Sequence, residues 1–152
     1  MSDFKPILLA EDNSSDLELT LEALADNNLA NRVTVVRDGV EALEYLRCEG
    51  KYSQRTPGNP AVAILDIKMP RMDGIEVMRA IRTDAALKTI PVVMLTSSRE
   101  EHDLIRSYEL GSNAYVVKPV KFSEFIDAVK HIGVFWAMIN ELPPDGVSAH
   151  EQ

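Results

Sequence analysis

The stretch AILDIKMPRMDG, residues 63–74, ends an apolar run with a single carboxylate and then turns. The run Ala61–Leu65 is continuous rather than alternating, which is typical of a parallel strand covered on both faces. Pro70 and Gly74 follow it and indicate a turn. The stretch therefore predicts a buried strand that delivers Asp66 to the edge of a sheet.

Four further apolar runs have the same character and predict four more buried strands. They are Pro6–Ala10, Val33–Val36, Pro91–Leu95 and Ala114–Val117. Apolar residues at helical spacing predict five helices between and after these runs. The first helix carries Leu17, Leu21 and Leu24, the second carries Ala42, Leu43 and Leu46, and the others span Ile75–Arg82, Glu101–Leu110 and Phe122–Ile139. This alternation predicts an α/β, doubly wound fold, with a five-stranded parallel sheet between two layers of helices.

The connections between these elements support further expectations. Asp38 and Glu41 predict a capping box at the start of the second helix. Residues 48–60, CEGKYSQRTPGNP, predict a long surface loop that is either mobile or used in a contact. The chain of 152 residues suits one core, whereas PPDGVSAHEQ has too little apolar content to pack. We expect one domain over residues 1–142, with an extended last helix, and a disordered tail over 143–152.

The charge and composition exclude several classes of protein. Sixteen basic and twenty-four acidic residues give a net charge of −8, which disfavours direct binding to nucleic acid or to an anionic membrane. No run of about eighteen apolar residues is present, and acidic residues follow the N-terminus too closely for a secretory signal. We therefore expect a cytoplasmic protein. The single cysteine, Cys48, is expected to be a buried core residue.

Polar side chains follow four of the predicted strands. Glu11 and Asp12 follow the first strand, Asp66 the third, Thr96 the fourth and Lys118 the fifth. In an open parallel sheet, the carboxyl ends of the strands around the switch in strand order form the ligand crevice. We therefore expect these five side chains to converge.

Three converging carboxylates require a compensating cation. Oxygen donors without cysteine or histidine select a hard ion, and a shallow site with few protein ligands suits Mg²⁺. We expect Asp12 and Asp66 to bind the metal directly and Glu11 to bind it through water. The alternative is that Glu11 and Asp12 are only acidic residues at the start of the helix near Ser14.

A carboxylate beside a divalent cation can attack a phosphoryl group. The Lys118 ammonium and the Thr96 hydroxyl would then contact phosphoryl oxygens, so the crevice is interpreted as a phosphate receptor. Each residue also has an ordinary explanation: Thr96 as a strand residue, Lys118 as a loop cation and Asp66 as a turn residue. The combination of all of them at one sheet edge favours function.

As a set, these motifs resemble the receiver domain of two-component response regulators. The match rests on Glu11-Asp12, Asp66 within DIKMPRMDG, Thr96-Ser97-Ser98 and Lys118-Pro119. The resemblance implies a CheY-like, flavodoxin-like fold with strand order 2-1-3-4-5. It also implies that Asp66 accepts a phosphoryl group from the phosphohistidine of a sensor histidine kinase in the presence of Mg²⁺, with the Lys68 carbonyl completing the metal shell.

The resemblance also implies a switch. Thr96 would move toward the phosphoryl group and Tyr115 would turn inward; the alternative for Tyr115, which we favour less, is a rim aromatic that only packs. Lys68 and Ser98 occupy the positions that flank the path of the hydrolytic water, so they would set the lifetime of the phosphoryl group. Lys68 is alternatively a solvated bystander.

The long second loop and the DGVEALEYLR stretch, residues 38–47, are similar to small response regulators that serve phytochrome-type kinases. That similarity implies a bacterial photoreceptor kinase as partner. About 30 residues follow Val120, too few for a DNA-binding domain, so we expect a stand-alone receiver.

The last predicted helix carries two apolar stripes. One stripe covers the sheet, and the other has no place in the core. The second stripe consists of Ile132, Phe135, Met138 and Ile139. It predicts a homodimer through this helix, with packing inside one chain as the alternative.

Two other functions remain open on the sequence alone. A haloacid-dehalogenase-like phosphatase also uses an aspartate nucleophile at a strand end, but it requires a second acid where this chain has Lys68. A pseudo-receiver, or a flavin-binding module of similar topology, would act by docking alone. The interpretation favoured is a phosphoacceptor switch and not an enzyme acting on a free metabolite.

Overall fold

The computed structural model describes residues 5–25, 29–97 and 114–131. Its strands are β1 (Ile7–Ala10), β2 (Val33–Val36), β3 (Val62–Asp66), β4 (Val92–Thr96) and β5 (Ala114–Val117). The α-helices of these residues are α1 (Ser14–Ala25), α2 (Gly39–Arg47), α3 (Gly74–Thr83) and α4 (Phe122–His131). Short 3₁₀ helices span Leu29–Arg32 and Gly50–Tyr52.

The five strands form one sheet in the order β2-β1-β3-β4-β5, and every neighbouring pair is parallel. The predicted fold class and strand order are therefore confirmed. The predicted helix Glu101–Leu110, the part of the last helix beyond His131 and the tail over 143–152 lie outside the described residues. In the described part of the chain, no helix is long and apolar enough to span a membrane.

The sheet is covered on both faces, which explains the continuous apolar runs. In β1, Leu8 and Ala10 belong to a core cluster shared with α2 and α3, whereas Ile7 and Leu9 belong to a second cluster shared with α1 and α4. All four residues are fully buried. The crevice residues are thus carried on strands that are held from both sides.

The capping pattern differs from the prediction at α2. Asp38 caps the helix by accepting from the Glu41 backbone N–H at 2.8 Å, but the Glu41 side chain accepts from the Arg37 N–H instead of closing the box. The reciprocal capping box lies at α3, where Asp73 and Glu76 exchange both bonds. The Arg37 N–H is an alternative donor within reach of Glu41, so spacing alone did not decide its partner.

The predicted loop over residues 48–60 is anchored to α2. The Arg55 guanidinium lies 4.1 Å from the Tyr45 ring centroid and donates to the Tyr45 carbonyl at 2.8 Å. Tyr52 packs edge-on against the Tyr45 ring. Cys48, predicted to be buried, is only half-buried, because it ends α2 in the left-handed conformation with φ 55°.

Candidate functional site

The sheet brings the predicted crevice residues to one edge. Asp66 is the last residue of β3 and pairs with Leu95 of β4, and Thr96 is the last residue of β4. Glu11 directly follows β1, and its backbone N–H donates to β2 at 3.0 Å. Lys118 directly follows β5, and its N–H donates to the Thr96 carbonyl at 2.8 Å. The parallel register therefore places these four residues together.

The Lys118 ammonium lies at the centre of the crevice. Its Nζ is 2.9 Å from Asp66 Oδ1 and 2.9 Å from Glu11 Oε1. The same nitrogen is 2.9 Å from Oδ2 of Asp16, a residue of α1 that was not among the predicted site residues. One cation is thus shared by three carboxylates.

The sharing shifts the ionisation of the crevice. Burial and the adjacent Glu11 carboxyl raise the pKa of Asp66 to about 7, although Lys118 opposes the shift. Burial would lower the pKa of Lys118, but its hydrogen bonds to Glu11, Asp16 and Asp66 outweigh burial and raise it. The crevice therefore contains more negative charge than its one ammonium compensates, which suits a further cation.

Thr96 supplies a hydroxyl without a partner. Its Oγ1 is buried and has no hydrogen-bond partner among the residues that the structure describes. A buried hydroxyl in that condition carries a desolvation cost of roughly 1–3 kcal/mol. A ligand oxygen in the crevice would remove that cost.

The loop that follows Asp66 is held against α2 and α3. The Gly74 N–H donates to the Ile67 carbonyl at 2.9 Å, and a side chain at Gly74 would collide with the Asp66 carbonyl. Arg71 adopts φ 66° and forms a forked pair with the Asp38 carboxylate, at 3.0 Å for each hydrogen bond. These contacts fix the path of the chain around Asp66.

A sequence profile described as the response regulator receiver domain matches residues 7–130. The chain belongs to this family. The sequence-based interpretation as a two-component response regulator is thereby confirmed, and neither alternative is favoured.

Receiver proteins of phytochrome systems are among its relatives. The response regulator Rcp1 of Synechocystis sp. is 37% identical, over 91% of this chain and 93% of that protein. The structure of the bacteriophytochrome response regulator AtBRR is 58% identical, with a TM-score of 0.85, over 92% of this chain and 100% of that chain. That of the bacteriophytochrome response regulator RtBRR is 55% identical, with a TM-score of 0.84, over 97% and 89%. The narrower resemblance to phytochrome response regulators is confirmed.

Asp12, the predicted direct metal ligand of the receiver, stands at the rim. Its side chain is exposed, and its backbone carbonyl accepts from Arg37 Nη2 at 2.7 Å. Within residues 5–25, 29–97 and 114–131, no three acidic, histidine or cysteine side chains are already grouped as a metal shell. The oxygen donors are present, with Asp12 exposed and both Glu11 and Asp66 buried.

Of the remaining predicted residues of the receiver, the structure describes Lys68 and Tyr115. Lys68 is exposed on the loop after Asp66, and Tyr115 is half-buried on β5, where it packs against the α2–α3 core cluster. Ser98 lies outside the described residues, as does the predicted dimer stripe of Ile132, Phe135, Met138 and Ile139.

Asp16 is the site residue that the sequence interpretation missed. It lies in the first turn of α1, whereas Asp12 precedes the helix, so their spacing does not place them on one helix face. An acid in the first turn of a helix is already explained by the helix dipole.

Proposed function

We propose that Asp66 is the phosphoacceptor of this response regulator and that a sensor histidine kinase of the phytochrome type is its donor. The observation that carries the proposal is the position of the Asp66 carboxylate, which is 6% exposed and bonded to Lys118 beside Glu11. That position presents a carboxylate oxygen to a phosphoryl group that enters the crevice, and Lys118 opposes the rise in the pKa of Asp66 that burial causes.

The transfer balances without any other reactant. An Asp66 carboxylate oxygen forms a bond to phosphorus as the bond between phosphorus and the histidine nitrogen breaks. The imidazole leaves with the electron pair and takes up a proton. The Lys118 ammonium pairs with one phosphoryl oxygen, and the Thr96 hydroxyl, buried without a partner among the described residues, donates to another.

We propose Mg²⁺ as the cofactor, held by Asp12 and Asp66, by the Lys68 carbonyl and, through water, by Glu11. The donor set fits a hard cation because it offers only oxygens, and Glu11 and Asp66 share one ammonium. When bound, the ion would neutralise charge on the phosphoryl oxygens. The relative Rcp1 has a Mn²⁺-bound structure, and the relative RcpA has a phosphorylated one.

The output follows from the same residues. Thr96 moves toward the phosphoryl group, Tyr115 turns inward, and Lys68 and Ser98 set the rate at which water removes the phosphoryl group. Tyr115 lies on β5 next to β4, where it pairs with Met94, two residues before Thr96. The protein so described acts on its own aspartyl phosphate and is not an enzyme for a free metabolite.

Mass spectrometry after incubation with acetyl phosphate and Mg²⁺ tests the phosphoacceptor. We expect one added phosphoryl mass in the wild type and none in Asp66→Asn. Asp84→Asn is the matched control. Asp84 lies away from the crevice, and its Oδ2 is 3.5 Å from Arg47 Nε. An adduct that persists in Asp66→Asn, or that is lost equally in the control, contradicts the assignment.

We also propose one receiver domain over residues 1–142, a disordered tail over 143–152, and a homodimer through Ile132, Phe135, Met138 and Ile139. The support is the second apolar stripe of the sequence. Light scattering at micromolar concentration, with and without beryllofluoride, tests the dimer. A monomer under both conditions refutes it.

We place the protein in the cytoplasm and assign it no nucleic-acid or membrane partner. The net charge of −8 and the proposed relay with a kinase support that location. Cell fractionation of the native protein tests it, and recovery in the membrane or periplasmic fraction contradicts it.

A further inference from the structure

We propose that Asp16 is a positioning residue that competes with the phosphoryl group for the Lys118 ammonium and so limits the entry of phosphoryl groups into the crevice. This inference rests on the proposed function of Asp66. It assigns a role to a residue outside the five-residue pattern that the sequence pointed to.

The Lys118 ammonium is surrounded by carboxylates. An ammonium has three N–H donors. Here the nitrogen has three carboxylate oxygens at 2.9 Å, one each from Glu11, Asp16 and Asp66. Its side chain is only 11% exposed, which leaves little room for a further partner. Nζ donates a hydrogen bond to Asp16 Oδ2, whereas Glu11 Oε1 is close to it without hydrogen-bond geometry. A phosphoryl oxygen that binds Lys118 therefore competes with Asp16 for the ammonium.

Burial decides which carboxylate releases it. The Glu11 side chain is 0% exposed and that of Asp66 is 8% exposed, so bulk water cannot readily replace the ammonium at either carboxylate. The Asp16 side chain is 34% exposed, so water can replace the ammonium there. Asp16 is thus the partner that gives way at the smallest cost.

The charge of Asp16 acts in the same direction. Its carboxylate lies against the nitrogen that an incoming phosphoryl oxygen must reach, and it repels that anion. Removal of one negative charge at such a distance is expected to change an anion affinity or a rate constant by about threefold to tenfold. Asp16 therefore lowers the phosphorylation rate while it holds the ammonium in place.

The test compares three variants of the full chain. Asp16→Asn removes the charge, Asp16→Glu keeps it, and Glu18→Gln makes the same charge change at an exposed position of the same helix. For each we would measure the rate constant of adduct formation with acetyl phosphate and Mg²⁺, and the affinity for beryllofluoride by calorimetry. We expect a rise of about threefold to tenfold in both for Asp16→Asn and less than twofold for the other two.

The possible results separate the inference from its alternatives. An equal rise in Glu18→Gln would show a general effect of net charge, and an unchanged Asp16→Asn would show that Asp16 does not compete. Either result overturns the inference.

A second readout needs no phosphoryl group. The ¹⁵N signal of the Lys118 ammonium should shift in Asp16→Asn and stay unchanged in Glu18→Gln. If the wild type forms no adduct, the proposed function fails, and this signal alone decides the inference. An unshifted signal in Asp16→Asn then overturns it.

Discussion

Glu41 and Asp66 are both buried carboxylates, at 9% and 6% exposure, but their partners differ. Glu41 accepts from the Tyr52 hydroxyl at 2.7 Å and from the Arg37 backbone N–H at 3.0 Å. It also pairs with the Lys51 ammonium at 2.8 Å. Asp66 instead shares the ammonium of Lys118 with two other carboxylates.

The pKa values of the two carboxyl groups shift in opposite directions because their partners differ. Burial opposes the charge of Glu41, but its hydrogen bonds from Lys51 and Tyr52 and from the Arg37 backbone outweigh burial and lower its pKa. Burial and Glu11 raise the pKa of Asp66 to about 7. A carboxylate with enough donors stabilises the fold, whereas a carboxylate without them is held at a cost that a bound cation relieves. Two buried acids of similar exposure thus have opposite effects on stability: ionised Glu41 stabilises the fold and ionised Asp66 destabilises it.

Asp66→Asn gives the largest expected effect on stability. The folded pKa of Asp66 lies above its ordinary value of 3.8, so the folded state binds the proton more tightly than the unfolded state. The charge therefore destabilises the fold increasingly as the pH rises from about 4, and the penalty is complete above pH 7. Without metal at pH 8, Asp66→Asn should raise the free energy of unfolding by on the order of 3 kcal/mol.

Urea titrations in EDTA at pH 8 and at pH 4 measure this gain. Asp84→Asn serves as control and should show no gain that depends on pH. If Asp66→Asn is no more stable than the wild type at pH 8, the contrast between Asp66 and Glu41 does not hold.

Glu41→Gln should have the opposite sign. A carboxyl whose folded pKa is lowered stabilises the fold above its unfolded pKa, and the contribution is lost as the pH falls through the folded pKa. We expect a loss of about 2 kcal/mol at pH 8, because the glutamine amide keeps one acceptor oxygen for the two donors, the Tyr52 hydroxyl and the Arg37 N–H. Lys51 contributes little because its side chain is 66% exposed. Equal stability of variant and wild type from pH 3 to pH 8 would contradict this prediction.

The sequence predicted the sheet because burial on both faces leaves a direct mark in the apolar runs. Two observed strands begin and end one residue later than the apolar runs that predicted them. Ala61–Leu65 became Val62–Asp66, and Pro91–Leu95 became Val92–Thr96. Proline lacks the N–H that a ladder requires, and the backbone ladder continues through a polar side chain that hydropathy treats as an end. The functional residues Asp66 and Thr96 are therefore strand residues.

The polar partnerships were less predictable. Asp16 and Lys118 are 102 positions apart, so no local pattern joins them. Glu41 satisfied the spacing of a capping box, and nothing in the sequence showed that Tyr52, in a loop, would supply a hydroxyl to it. Residue types at strand ends predicted the crevice. Which donor pairs with which acid depends on three-dimensional packing, and no local sequence pattern records it.

Tyr52→Phe tests whether the Tyr52 hydroxyl stabilises buried Glu41, and a smaller effect is expected. The change removes the hydroxyl bonded to Glu41 and keeps the ring, which lies 5.2 Å from the Tyr45 ring. We expect a loss of about 1 kcal/mol in unfolding free energy and no change in phosphorylation. A double-mutant cycle with Glu41→Gln should show a coupling of similar size. Additive effects of the two changes would show that the bond contributes nothing to stability.

Arg37→Lys should give the smallest effect, and it tests whether the crevice depends on the network around Glu41. The Arg37 backbone N–H bonds Glu41, while its guanidinium donates to the Asp12 carbonyl at 2.7 Å and to Ser14 Oγ at 3.1 Å. Lysine keeps the charge and the backbone bond but loses the forked donor, so only the positioning of Asp12 changes. We expect Mn²⁺ affinity, measured by calorimetry, to fall about threefold, which is about 0.6 kcal/mol. Arg47→Lys, which changes an arginine away from the crevice, should leave the affinity unchanged. Unaltered or tighter Mn²⁺ binding in Arg37→Lys would show that the contact between Arg37 and the Asp12 carbonyl has no influence on the metal.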